Sequence, residues 1–249
     1  MALLVISDLH IIGPHDPLYA SLLRLLRERA RPGDTVVLAG DVFDLFVGNK
    51  DVFLDRYRDF VSALREAGTR GVCVHYIEGN HDFLLRGAFR DCSGLQVHPS
   101  EVSIELGGKR ILVSHGDLFD REDYGYRALR SFFRSPVMKG IVNVVPGRWL
   151  DWYGNAHSRQ SRASKPILAS GLPTEQIERL RKIYRSAAAE RLAQGYDFVV
   201  AGHCHDLDEM EFTIAGRFGQ YVNVGYPRAH GSFLSWTPGE PKIQREKLP

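Results

Sequence analysis

The chain has 249 residues, enough for one large α/β domain with a substantial core, and its 44% hydrophobic and 25% charged residues exclude a disordered or low-complexity polypeptide. A net charge of +2 gives no support to nucleic-acid binding driven by bulk charge, although basic residues gather between Arg121 and Arg191 as a local surface for anions. Three cysteines, Cys73, Cys92 and Cys204, are odd in number and irregularly spaced, which provides no disulfide framework and fits a reducing cytoplasm; the apolar run Ala2–Ile6 is too short for a signal peptide, and no segment approaches bilayer-spanning length.

Ala2–Ile6 reads as a buried strand that ends where Asp8-Leu9-His10 begins. Leucines at helical spacing follow over Pro17–Ala30, then a Pro32-Gly33-Asp34 turn and a second apolar strand, Thr35–Ala39, leading to Gly40-Asp41. A helix is predicted over Val52–Ala67, stopped by Gly68, with a third strand over Gly71–Ile77 that delivers Gly79-Asn80-His81-Asp82. This alternation predicts a parallel sheet. Val97–Leu106 and Arg110–Val113 read as a hairpin across Gly107-Gly108, leading into His115-Gly116-Asp117. Phe198–Ala201 leads into Gly202-His203-Cys204-His205, and short strands at Tyr221–Val224 and Ser232–Trp236 suggest a second sheet. Between about residues 121 and 195 the sequence is Arg-rich, aromatic and broken by Pro136, Pro146, Pro166 and Pro173, which reads as a helical insertion over the site within a single domain, 1–249.

Five strand ends thus carry metal-ligating residue types, and in open α/β sheets ligands gather beyond the carboxyl ends of strands. Asp8, His10 and His205 would hold one divalent cation, and Asn80, His115 and His203 a second. Asp41, short and anionic behind a glycine, is the candidate bridge. The Asp8-Leu9-His10 and His203-Cys204-His205 triplets are expected to be extended, so that their outer residues point one way and the middle one the other, which leaves Cys204 packed. Mixed oxygen and nitrogen donors suit Mn²⁺, Fe or Zn²⁺. Two such ions would lower the pKa of a bound water and clamp phosphoryl oxygens, so phosphoester hydrolysis is expected. His81 is then placed to contact a phosphate oxygen or protonate a leaving group, and Asp44, Asp82 and Asp117 to orient ligand imidazoles.

This ordered series resembles that of the calcineurin-like metallophosphoesterase superfamily over Asp8 to His205. The resemblance implies an α/β fold, a two-sheet β-sandwich flanked by helices, with a dinuclear centre. Within the superfamily, Asp41-Val42-Phe43-Asp44, the Gly79–Leu84 stretch, and His115-Gly116-Asp117 with Asp123 and Tyr126 are similar to the UDP-2,3-diacylglucosamine hydrolases of lipid A synthesis. That family usually works with Mn²⁺ at the cytoplasmic face of the inner membrane and cleaves its UDP-linked acylated sugar to UMP and 2,3-diacylglucosamine 1-phosphate. It typically has Arg where this chain has His81, the residue of the wider superfamily. Asn80, His81, Asp123 and Tyr126 are the substrate contacts this resemblance implies. Asn155, Arg159, Ser161, Ser164 and Lys165 in the insertion are further polar candidates.

Phe132 to Val145, with Trp149, Leu150, Trp152 and Tyr153, combines apolar bulk with Arg and Lys, as an interfacial or acyl-binding lid requires and as a helical hairpin packed on the sheet would also show. Two other functions fit the same motifs. One is hydrolysis of soluble nucleotides, phosphodiesters or phosphoproteins, which His81 favours. The other is a non-catalytic scaffold, which the complete ligand set disfavours.

Overall fold

The apolar runs read as strands are buried on both faces because the chain stacks two sheets between helices. The structure, a computed structural model, describes residues 1–152 and 172–249. In β1 (Leu3–Ile6), Leu4 and Ile6 face helices, while Leu3 and Val5 face the other sheet. Helix α1 (Pro17–Arg24) starts at Asp16, whose carboxylate accepts from Leu18 N, with Pro17 at the first helical position. It closes in a π turn over Leu25–Arg29. Next come β2 (Thr35–Ala39) and the short β3 (Phe46–Val47).

The helix predicted over Val52–Ala67 is two helices, α2 (Asp51–Arg56) and α3 (Arg58–Thr69). Tyr57 breaks it, leaving helical geometry at φ −112°, ψ 34°, with its ring centroid 4.1 Å from that of Phe43. Packing in this aromatic core overrides local helix propensity.

β4 (Cys73–Ile77) and β5 (Asp82–Phe83) flank the third motif. The stretch Val97–Leu106 is two strands rather than one, β6 (Leu95–His98) and β7 (Glu101–Leu106), which belong to different sheets. Pro99, which has no N–H to donate to a ladder, lies at the crossing between them. Gly107 and Gly108, both at positive φ, turn β7 into β8 (Lys109–Ser114). The last strands are β9 (Phe198–Ala201), β10 (Glu209–Ile214), β11 (Arg217–Asn223), β12 (Ser232–Trp236) and β13 (Gln244–Lys247).

The first sheet has the order β13-β12-β1-β2-β4-β6 and is parallel from β1 to β6; the second runs β10-β11-β9-β8-β7, with β8, β9 and β11 parallel. Between the sheets lie Val37, Ile77, Ile111, Val113, Phe198 and Trp236. Truncating a buried aromatic such as Trp236 to Ala would cost on the order of 3–5 kcal/mol. Helices α1 and α3 cover the first sheet.

Among the described residues between β8 and β9 the chain is largely helical. Asp123 caps α4 (Tyr124–Phe133) by accepting from Tyr126 N, and Ser135 caps α5 (Pro136–Val144). Phe133, Met138 and Leu150 pack against the helix-side core of the first sheet. Helix α6 (Thr174–Ala193) is a layer of the fold: Tyr184, Ala187, Ala188 and Leu192 cover the outer face of the second sheet. Among the described residues, no helix is long and apolar enough to cross a membrane.

Candidate metal centre

All five motifs leave the carboxyl ends of parallel strands: β1, β2 and β4 in the first sheet, β8 and β9 in the second. The backbone there is not extended. Asp8, His10, Asp41, His203 and His205 all have left-handed φ, between 45° and 69°. Each such residue costs of the order of 1–3 kcal/mol, and such strain concentrates where a site over-determines its geometry. The expected alternation of an extended triplet therefore does not apply, although the outer residues still converge. Leu9 turns into the helix-side core, and the half-buried Cys204 accepts from Asn223 Nδ2 at 3.1 Å. Burial pushes the Cys204 thiol up to about 12, which keeps it protonated.

Two glycines are required by close approach. A Cβ on Gly79 would collide with the carboxylates of Asp41 and Asp82, and one on Gly202 with Asp8 and Ser7.

Two donor groups that join the sheets result, beside a third of His10, Asp44 and His81. Asp8, His10 and His205 present ligand atoms within 4.8 Å of one another, as do Asp41, His115 and His203. Each group draws on both sheets. His205 Nε2 lies 3.3 Å from both Asp8 Oδ1 and His10 Nε2. Asp41 Oδ2 lies between the groups, 3.7 Å from His10 Nε2 and 3.6 Å from His115 Nε2. Asn80 Oδ1 is 3.2 Å from His115 Nε2, which is 3.2 Å from His203 Nδ1. Oxygen and imidazole donors this close together, with no thiolate, fit a pair of divalent transition-metal ions.

The electrostatics agree with the geometry. Burial pushes the Asp41 carboxyl up, but the imidazoles of His115, His81 and His10 outweigh it and hold the group well below the usual carboxylate range. Burial likewise opposes ionisation of Asp8, and His205 overrides it. His10 falls to about 3 and His203 to about 4, both chiefly through burial, so both stay neutral with lone pairs available. His115 goes the other way: burial lowers it, but Asp41, Asp8 and Asp117 raise it to about 9. Buried anions draw a proton there, and a cation would compete for the same site. His115 Nδ1–H donates to Ala39 O at 2.9 Å, which aims Nε2 at Asp41 and Asn80.

The supporting acids divide. Asp82 was expected to orient an imidazole, but its carboxylate accepts from the backbone N–H groups of Asp41, Val42 and Gly79 and from Tyr76 Oη, so it fixes two loops. Asp117 accepts from Tyr126 Oη at 2.6 Å and Arg130 Nε at 2.5 Å rather than from an imidazole. Asp44 engages His81 through its backbone carbonyl, which accepts from His81 Nδ1 at 2.9 Å. Arg181 and Arg185 of α6 hold the carboxylates of Asp206 and Asp208, just beyond His205.

His81 lies beside the first group, its ring 4.8 Å from that of His10. Tyr126 lies 5.9 Å from the His203 ring, whereas Asp123 has one carboxylate oxygen engaged as the α4 cap. Asn155, Arg159, Ser161, Ser164 and Lys165 lie outside the described residues. Sequence reasoning missed Tyr226, stacked on His205 at 4.6 Å, and Arg228, which donates to the carbonyls of Leu9 and His10 and pairs with Asp16. The one available signal was Gly225-Tyr226-Pro227, a turn at the end of a strand.

The sequence profile of the calcineurin-like phosphoesterase family matches residues 1–207, a span that contains every motif of the centre. The chain belongs to that family. This calcineurin-like phosphoesterase is therefore a metal-dependent hydrolase with a dinuclear centre. It is 31% identical over 253 residues to UDP-2,3-diacylglucosamine hydrolase of Aeromonas salmonicida, covering 100% of this chain and 95% of the relative. Enzymes of the same name match from Photorhabdus laumondii (37% over 147 residues, 59% of this chain and 60% of that one) and from Escherichia coli (34% over 170 residues, 67% and 70%).

Proposed function

We propose that this phosphoesterase hydrolyses the pyrophosphate of UDP-2,3-diacylglucosamine, giving UMP and 2,3-diacylglucosamine 1-phosphate. The observation that carries the reading is a relative of that name matched along essentially its whole length, joined to a centre that contains every donor the chemistry needs. Asp8, His10 and His205 would hold one cation, Asn80, His115 and His203 the other, with Asp41 between them. Manganese is the ion we favour on the family resemblance; the oxygen and nitrogen donor set without thiolate suits Mn²⁺, Fe or Zn²⁺ alike. Bound there, the ions would lower the pKa of water and neutralise charge that builds on the phosphoryl oxygens.

The remaining steps belong to the protein. Asp41 Oδ1 accepts from the N–H groups of Asn80 and His81 at 2.8 and 2.9 Å, locking the loop that faces the scissile phosphate. With Nδ1–H committed to the Asp44 carbonyl, His81 has Nε2 left to contact a phosphate oxygen or, as the imidazolium, to hand a proton to the departing phosphate. Tyr126, anchored by Asp117, would contact the sugar, together with Asp123 and the polar candidates Arg159, Ser161, Ser164 and Lys165. Apolar side chains of α4, α5 and residues 147–152 stand in water, among them Leu129, Phe132, Val137, Ile141, Val144, Trp149 and Trp152. They supply a face for acyl chains and for peripheral contact with the inner membrane's cytoplasmic side.

The test is release of UMP from UDP-2,3-diacylglucosamine by purified protein with Mn²⁺, Fe²⁺ or Zn²⁺. UMP release is the expected result. Cleavage of simple phosphodiesters with this lipid left intact would redirect the reading to soluble substrates. No hydrolysis of either, with any of the ions, would leave a scaffold.

A further inference from the structure

A cavity of about 600 Å³ opens beside α5 and the third motif. It contains none of the proposed metal ligands. Among the described residues, Arg86, Arg90, Arg134 and Lys139 line it, against a single carboxylate, Glu78. Burial raises the Glu78 carboxyl above its ordinary value, and its Oε1 is already engaged by Leu85 N at 2.8 Å. Arg86, Arg90 and Lys139 are exposed and have no ion-pair partner among the described residues. Arg134 is more constrained. Its Nη2 donates to Gly79 O at 2.7 Å, while its buried Nε lies 3.6 Å from Glu78 Oε2 with no hydrogen-bond partner.

Four cations converging on one concave surface repel one another, and isolated surface charges would be better solvated apart. The balance changes if an anion sits between them. Guanidinium forks match phosphoryl oxygens in shape and charge, and a volume of this size holds a nucleotide-sized ligand. Leu84, Val97 and Val142 add apolar wall, so the occupant has a carbon body as well as a charged head.

We propose that this cavity is a second, non-hydrolytic site for a phosphoryl anion, filled by a small phosphomonoester or by the phosphate of an anionic lipid headgroup. The proposal stands apart from the identity of the phosphoester cleaved at the metal centre, because its readout is binding.

The test compares the metal-loaded protein with its Arg86→Ala/Arg90→Ala/Lys139→Ala variant. Both keep the metal centre, so any difference between them belongs to the cavity. All three positions are exposed, so the variant should melt with the wild type and hydrolyse bis(p-nitrophenyl) phosphate at the same rate. Calorimetric titration with glycerol 3-phosphate should show a binding event that weakens roughly tenfold for each cation removed and that weakens further with added salt. If a lipid headgroup is the source, phosphatidylglycerol vesicles, but not phosphatidylcholine vesicles, should sediment the wild type and release the variant. Equal behaviour of the two proteins toward both probes would overturn the proposal. If the triple variant fails to fold, Lys139→Ala alone carries the same comparison with a roughly tenfold effect.

Discussion

The metal centre and helices α4 and α5 depart from the ordinary placement of side chains in opposite ways. At the centre, polar groups are buried: Asp8 and His115 have no exposure, and every carboxylate there is met by N–H groups or imidazoles. Along α4 and α5, apolar groups are exposed, with Val144 at 84% and Trp152 at 68% just beyond. Each arrangement is costly unless something offsets it, a cation in the first case and an apolar partner in the second. Departure from the ordinary inside–outside pattern marks where a protein meets its ligands, and here it marks two different ligand chemistries.

The strongest way to break the contrast is Asp41→Asn. If the buried carboxylate serves a cation pair, kcat/KM should fall by about 10³-fold or more, roughly 4 kcal/mol of transition-state stabilisation. Bound manganese, read by elemental analysis, should fall with it. Retained activity would make Asp41 a packing residue. Tyr126→Phe probes the joint between the regions, since its hydroxyl on α4 donates to Asp117 beside the centre. An approximately tenfold loss in kcat/KM is expected, the worth of one charge-assisted hydrogen bond, with metal content unchanged. Loss of metal as well would place Tyr126 in the support of the centre rather than at the substrate. Val144→Asp should change unfolding free energy by no more than about 0.5 kcal/mol while weakening sedimentation with lipid vesicles. A large loss of stability would instead show this face to be core.

Sequence made the strands of both sheets plain wherever burial on both faces produced continuous apolar runs, as in β1, β2 and β9. It failed at β13, Gln244–Lys247, because an edge strand pairs through its backbone and needs no apolar side chain to do so. The break at Tyr57 was illegible for a related reason, being set by aromatic contacts distant in sequence. Residue types at five strand ends identified the candidate donors, yet nothing in Asp8 or His203 announces a left-handed backbone. Cys204 was excluded on an assumption of extended geometry that the chain does not adopt, and it is the packing beside Asn223 that turns it away. Arg228 and Tyr226 left no trace beyond the Gly225-Tyr226-Pro227 turn because their role is to brace a neighbour.

The two donor groups each take residues from both sheets, so any ion they hold is also a rivet across the sandwich. Asp8 and His10 would be tied to His205 in one, and Asp41 to His115 and His203 in the other. A ligand that binds only the folded state raises the free energy of unfolding in proportion to the logarithm of its concentration. Metal supply would thus set the mechanical integrity of the seam as well as the rate of hydrolysis. A cell short of the ion would lose folded protein together with turnover.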